Sequence, residues 1–279
     1  MILRACASLT LCSLLLAPRG AGADQVTLTA AGSTALLPLI KSSAELYALR
    51  RPQTQITVTG GGSRAGVAQA AAGTVDLGLS DTAATGYPNL VDHHLCVVGY
   101  VVVANPGIGV TNLTKAQLRD IFAGKVTNWK ELGGADVKVV PIERPAGSGT
   151  RLVFDAAIMG QAKAPDASPV EDVTSSLLGD VRTIPGAISY AAFPGLKKYQ
   201  DDAFAPVEGV VELSIDGAPP TEEAIGNGSY PLWSFEHVYT NGPPSREASR
   251  FLAVAQTNVD AIHALGFIPI RALTIPEKR

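Results

Sequence analysis

Two hydrophobic rhythms alternate along this chain. Short apolar or β-branched runs at 26–30, 56–59, 75–79, 95–104, 137–142, 187–191 and 232–240 predict strands, and 207–215 predicts a strand or a hairpin arm. Between them the apolar residues recur at helical spacing. Leu36, Ile40, Ala44 and Tyr47 fall on one face behind Ser33-Thr34, either of which can cap the helix, with Pro38 in its first turn. A helix over 64–72 stops at Gly73, and Thr114-Lys115-Ala116-Gln117 is a capping box for a helix that ends near Gly124. Further helices are predicted over 151–159, closed by Gly160, and over 174–180. Another runs from Pro243-Pro244-Ser245 to about Leu265. Strands that alternate with helices predict an α/β fold with mainly parallel sheets. The long runs at 95–104 and 232–240 are candidates for strands that cross between two lobes, with a site in the cleft.

Three of the predicted strand-to-helix turns share a composition: Ala31-Gly32-Ser33-Thr34-Ala35, Gly60-Gly61-Gly62-Ser63-Arg64 and Ala146-Gly147-Ser148-Gly149-Thr150. A helix start leaves N–H groups unpaired and carries partial positive charge, glycine admits close approach, and hydroxyls add donors. That combination suits an anion. Any one turn is also what an ordinary helix cap looks like, and three glycines in a row also suit a loose connection. The second turn lacks the spacing of a dinucleotide fingerprint and the lysine of a P-loop. Arg144 stands just before the third turn, and its planar guanidinium matches an oxyanion. Arg151 is either a second cation or a solvated surface charge.

Asp81, at the end of the third strand, is an acid among anion-binding turns. It makes chemical sense if the ligand carries a proton for the carboxylate to accept. Phosphate at neutral pH has one and sulfate has none, so Asp81 would reject sulfate; the plainer reading is an Asx turn. No catalytic set stands out. Ser148 sits in Gly147-Ser148-Gly149 rather than a nucleophile elbow, and His93, His94, His237 and His263 lack metal-ligand spacing, with His93-His94 read as an exposed turn beside Asp92. No metal, no cofactor and no enzymatic activity are expected.

The first residues read as a leader. A basic start is followed by an apolar core over 7–17, too short to span a bilayer, and by the small-residue signal Ala21-Gly22-Ala23, so residues 1–23 are expected to be cleaved and the mature chain to begin at Asp24. A lipoprotein at Cys12 is disfavoured by the bulk of Leu11. Export leaves Cys96 as the single cysteine, inside an apolar run, where it is expected to serve as a small buried hydrophobe. The leader removes two of 22 basic residues and no acid, leaving 20 against 25 and a net charge of −5. No basic patch points to nucleic acid, and an anion would be held by local hydrogen bonds rather than drawn in by the overall field.

With these residues in view, the chain resembles the phosphate-binding proteins of Pst-type ABC transporters over nearly all of its mature length. The landmarks occur in order: Gly32-Ser33-Thr34, Gly62-Ser63-Arg64-Ala65-Gly66, Asp76-Leu77-Gly78-Leu79-Ser80-Asp81, Ile121-Phe122-Ala123-Gly124-Lys125-Val126-Thr127-Asn128-Trp129, Arg144 to Thr150, Ile184-Pro185-Gly186-Ala187-Ile188-Ser189-Tyr190 and Tyr230-Pro231-Leu232. The resemblance implies a two-lobed type II periplasmic-binding-protein fold, with mixed, mainly parallel sheets flanked by helices and the ligand in the interlobe cleft. Lobe 1 would comprise 24–101 and a return segment, 232–279; lobe 2 would comprise 102–231. It implies a periplasmic, monomeric protein that carries inorganic phosphate to a membrane permease; the alternatives are a binding protein for another oxyanion, sulfate or molybdate, and a phosphate-ester hydrolase with Ser148 as nucleophile. The implied ligand set is Thr34 and Ala35, Ser63, Asp81 as proton acceptor, Arg144, and Ser148, Gly149 and Thr150 at a helix start, with Ser33 added from its position. One departure stands out: many relatives carry an acid between the arginine and the glycine turn, where this chain, like a shorter branch of the family, has none and carries Pro145-Ala146; Glu143 is a candidate to hold Arg144 instead.

Overall fold

The computed structural model describes residues 25–274 apart from Ala167 and Asp202. The leader, with its cleavage signal, lies outside the described residues. In chain order the elements are β1 (Val26–Gly32), α1 (Leu37–Arg50), β2 (Thr54–Thr59), α2 (Ser63–Ala71), β3 (Leu77–Ser80), β4 (Leu90–Ala104), β5 (Asn112–Leu113), α3 (Lys115–Phe122), β6 (Val140–Pro141), α4 (Gly149–Phe154), α5 (Thr174–Thr183), β7 (Ala187–Ala192), β8 (Tyr199–Gln200), β9 (Ala203–Phe204), β10 (Val211–Ile215), α6 (Glu222–Gly226), β11 (Trp233–Asn241), α7 (Arg246–Thr257) and α8 (Val259–Ala264). Nine strands form one mixed sheet in the order β2-β1-β3-β11-β4-β10-β5, with β7 and β6 branching from β4. The β1–β2 and β1–β3 pairs are parallel at one end; β6–β7 and β10–β5 are parallel at the other. Among the described residues no helix is long and apolar enough to cross a membrane.

β4 joins the two ends. Residues 90–99 pair antiparallel with β11, then from Tyr100 onward the strand pairs with β7 on one side and β10 on the other. Its last ten residues, 95–104, are buried without interruption, which is why they read as a continuous apolar run. Cys96 is among them, a free and fully buried thiol whose burial pushes it well above the usual range.

Several elements differ from the sequence pattern, each for a physical reason. Asp92, His93 and His94 are not an exposed turn. They lie in the first half of β4, half-buried or edge-exposed, because β11 supplies hydrogen-bond partners from far along the chain. The run 137–142 narrows to β6, since only Val140 and Pro141 pair in register with β7. The helix expected from 245 to 265 breaks at Asn258, whose side chain accepts from Ala261 N–H and starts α8. α4 passes directly into a π-helical turn, Asp155–Met159, before Gly160 ends it.

Local chemistry explains the rest. The Thr114–Gln117 capping box is present in both directions. The Ser33 hydroxyl accepts from Leu36 N–H ahead of α1, so Ser33 rather than Thr34 organises that turn. The stretch from Ile121 to Trp129 supports α4 from below. Phe122 packs edge-on against Phe154 of α4 and Tyr190 of β7, which stack at 3.9 Å, and Trp129 donates its indole N–H to Gly186 O at 2.9 Å.

Candidate functional site

β1, β3 and the segment after β6 all point their C-terminal ends at one place, and the helix starts of α1, α2 and α4 converge there. Gly62 takes the left-handed φ of +84°, and a Cβ there would press on Gly147 O at 2.9 Å, so the second and third turns touch. A Cβ at Gly149 would overlap both the Ser63 hydroxyl and the Asp81 carboxyl. Asp81 N–H donates to Ser63 Oγ at 3.1 Å. The hydroxyls of Ser33 and Ser63 both hydrogen-bond the Asp81 carboxyl.

Ser33, Ser63, Asp81 and Gly149 therefore form one buried contact chain. Thr34, Ala35, Arg144 and Thr150 line an adjoining cavity of about 370 Å³, whose far wall includes Asp172, Thr174, Pro194 and Gly195. Ser148 caps α4 from a half-buried position, with its hydroxyl not used on its own helix. The first N–H groups of α4 have no carbonyl within the helix to meet. A second cavity, of about 360 Å³, opens on the other side of Asp81 and is lined by Lys115, Trp233, Phe235 and His237.

The electrostatics match the layout. Asp81 is 2 % exposed, and burial raises its pKa above the usual carboxylate range; hydrogen bonds from Ser33 and Ser63 and the charges of Arg144 and His237 oppose that rise. Its Oδ1 has no hydrogen-bond partner among the described residues. Arg144 is 4 % exposed, its Nη2 donating to Asp172 O at 2.6 Å and its Nη1 only loosely to Thr174 Oγ1 at 3.4 Å. Its Nε has no hydrogen-bond partner among the described residues. A buried donor left unpaired beside a cavity is costly unless a ligand takes it.

Glu143 does not hold Arg144. Its carboxylate accepts from Tyr190 Oη at 2.8 Å and lies 3.8 Å from Arg151 Nε, on the opposite side of the backbone. The holder is the segment before α5: the main-chain oxygen of Asp172, its carboxylate at 3.7 Å, and Thr174. Nothing in the sequence near Arg144 announces this. Arg151 is neither a ligand-facing cation nor a solvated charge, because Nη1 donates to Arg144 O at 2.8 Å and braces the turn.

His237 was likewise unassigned. It sits on β11 opposite His94, and its Nδ1 contacts the Asp92 carboxylate at 2.9 Å; Tyr239 Oη also donates to that group. Burial works against the Asp92 charge, but the hydrogen bond and charge of His237 outweigh it and hold the carboxyl below its ordinary range.

Comparisons with known proteins agree with this architecture. A family model described as a PBP superfamily domain matches residues 17–258. The chain is 35% identical over 257 residues to the phosphate-binding protein PstS of Bacillus subtilis, covering 89% of this chain and 82% of that protein. It superposes with a TM-score of 0.76 and 26% identity on a putative phosphate ABC transporter substrate-binding protein with bound phosphate from Clostridium perfringens, covering 88% of this chain and 99% of the other. An ABC-type phosphate transport receptor from Vibrio cholerae gives a TM-score of 0.74 at 26% identity, covering 86% and 99%.

Proposed function

Since this chain belongs to the PBP superfamily, we propose that it captures inorganic phosphate and hands it to the membrane permease of an ABC transporter. The observation that carries the reading is Asp81: a buried carboxylate set against the start of α4 and within reach of the Arg144 charge. A site built from donors gains from an acceptor only when its anion brings a proton. The relatives named for phosphate point the same way.

In this reading the anion occupies the cavity between Thr34 and Ala35 on one side and Arg144 and Thr150 on the other. Thr34 and Ala35 donate through hydroxyl and amide, and Arg144 supplies its unpaired Nε. Ser148, Gly149 and Thr150 bring the free N–H groups of α4, Ser63 completes the ring through its main-chain N–H, Ser33 steadies the Asp81 carboxylate through its hydroxyl, and Asp81 takes the ligand's proton. Two lobes, 24–101 with 232–279 and 102–231, close on the ligand by bending where β4 and β11 run side by side. The protein works as an exported, periplasmic monomer whose leader has been removed, and it binds without turning over its ligand.

Titration with phosphate tests the proposal. A dissociation constant at or below micromolar, about 8 kcal/mol, is expected, unaffected by excess sulfate and without hydrolysis of an aryl phosphate. Displacement by sulfate would instead mark a general oxyanion binder. Two substitutions sharpen the test. Asp81→Asn is expected to lose sulfate rejection more than phosphate affinity, read by competition titration; equal discrimination in mutant and parent would make Asp81 structural. Arg144→Ala is expected to weaken phosphate by about 100-fold, the size of one strong charge-assisted hydrogen bond, ~3 kcal/mol.

A further inference from the structure

Behind Asp81 lies a second acid that the phosphate reading leaves unused. Glu236 is on β11, fully buried. The β11–β3 register pairs His237 with Ser80, and the next position along it sets Glu236 across from Asp81. Directly opposed residues in an antiparallel pair share a face and bring their side chains together. A bulge against β4 falls between Glu236 and His237, the kind of irregularity that re-aims a side chain.

The polar atoms here do not balance as two carboxylates. Among the described residues neither oxygen of Glu236 has a donor, and Asp81 Oδ1 has none either. Two buried carboxyls side by side cannot both carry charge, and unpaired charge in such a place is prohibitive. A single proton between them removes the like-charge clash and gives Asp81 Oδ1 a donor. It belongs on Glu236, because Asp81 alone is stabilised as an anion by Ser33, Ser63 and the charges of Arg144 and His237. Facing Glu236 are Asp81, and Cys96 and Tyr100 of β4; the Tyr100 hydroxyl is engaged with Ser234 at 2.9 Å. Burial and the neighbouring Asp81 push the Glu236 carboxyl well above its ordinary range.

We infer that Glu236 is a positioning residue for the anion site: as a neutral acid it donates its proton to Asp81 Oδ1, fixing the Asp81 carboxylate so that its other oxygen remains the acceptor for the ligand's proton. The inference rests on the phosphate-binding reading. Glu236 touches no ligand; it sets how readily Asp81 stays ionised.

The test is the pH dependence of phosphate affinity for the parent, Glu236→Gln and Glu236→Leu, with thermal melts to confirm folding. Affinity falls on the acid side as Asp81 protonates. Glutamine keeps a donor to Oδ1, so its acid limb is expected to overlay that of the parent. Leucine removes the donor, so its limb is expected to move up by about one pH unit, the scale of a charge-assisted hydrogen bond. Limbs that coincide in all three proteins, or that move down in both variants, would overturn the inference, the latter because it would mean Glu236 is charged. Infrared spectroscopy supplies a readout that survives poor folding of the leucine variant. The parent at neutral pH should show the carbonyl band of a protonated, buried carboxylic acid, and Glu236→Gln should lack it. A parent without that band overturns the proposal. A parent with the band but no phosphate affinity would remove the functional reading and leave the shared proton standing.

Discussion

Replacing Gly149 with alanine is expected to abolish phosphate binding. The added Cβ has nowhere to go: Ser63 Oγ and the Asp81 carboxyl already occupy its position, and both are buried and mutually bonded. Either α4 retreats from β3, taking its free N–H groups away from the cavity, or the Ser63–Asp81 pair is driven apart. Each route dismantles the donor ring. Titration should show no binding up to millimolar phosphate, a loss of about 4 kcal/mol or more from a micromolar parent. Gly147→Ala is the control two residues away. A Cβ there meets nothing within 4 Å, so stability should stay within about 0.5 kcal/mol and binding should persist. Normal affinity in Gly149→Ala would place the anion elsewhere.

Lys197→Ala should produce the largest loss of stability, about 3–5 kcal/mol, read by denaturant unfolding. The Lys197 ammonium is nearly sealed from solvent, donates to Glu212 Oε2 at 2.8 Å and to Pro220 O at 3.3 Å, and sits 4.9 Å from the centre of the Phe193 ring. Removing it strands the Glu212 carboxylate, whose other oxygen accepts from Val207 N–H. The same lysine ties down the segment that carries Pro194 and Gly195, part of the cavity wall, so phosphate affinity should fall along with stability. Lys197→Met keeps most of the stem and none of the charge, and a similar loss in that variant would locate the effect in the ion pair.

What the sequence revealed here is what short-range chemistry determines. The capping box at Thr114 and the glycine-rich turns were readable because their hydrogen bonds close within a few residues, and the proposed anion donors of α4 are themselves main-chain groups at a helix start. The first half of β4 was not readable. Asp92 and His93-His94 look like a turn until β11 arrives from the other end of the chain to pair with them. The break at Asn258 had a local signal, since asparagine is a strong cap, but the amphipathic pattern ran straight through it. In the site, the partners of the charged groups stayed hidden for the reason β4 did. Glu143 is adjacent to Arg144 in sequence, yet consecutive residues in extended backbone point to opposite sides, and the true tether comes from Asp172. Glu236 reaches Asp81 only through the order of strands in the sheet.

The shortest bond to the Arg144 guanidinium ends on a peptide oxygen, that of Asp172. Side-chain identity at that position is thus nearly irrelevant to the grip, whereas the path of the chain through it is not. Alanine at Asp172 would be scored as tolerated, and a proline at the next position, Val173, whose N–H donates to the Glu171 carboxylate at 2.7 Å, would do far more harm than a change of charge at Asp172.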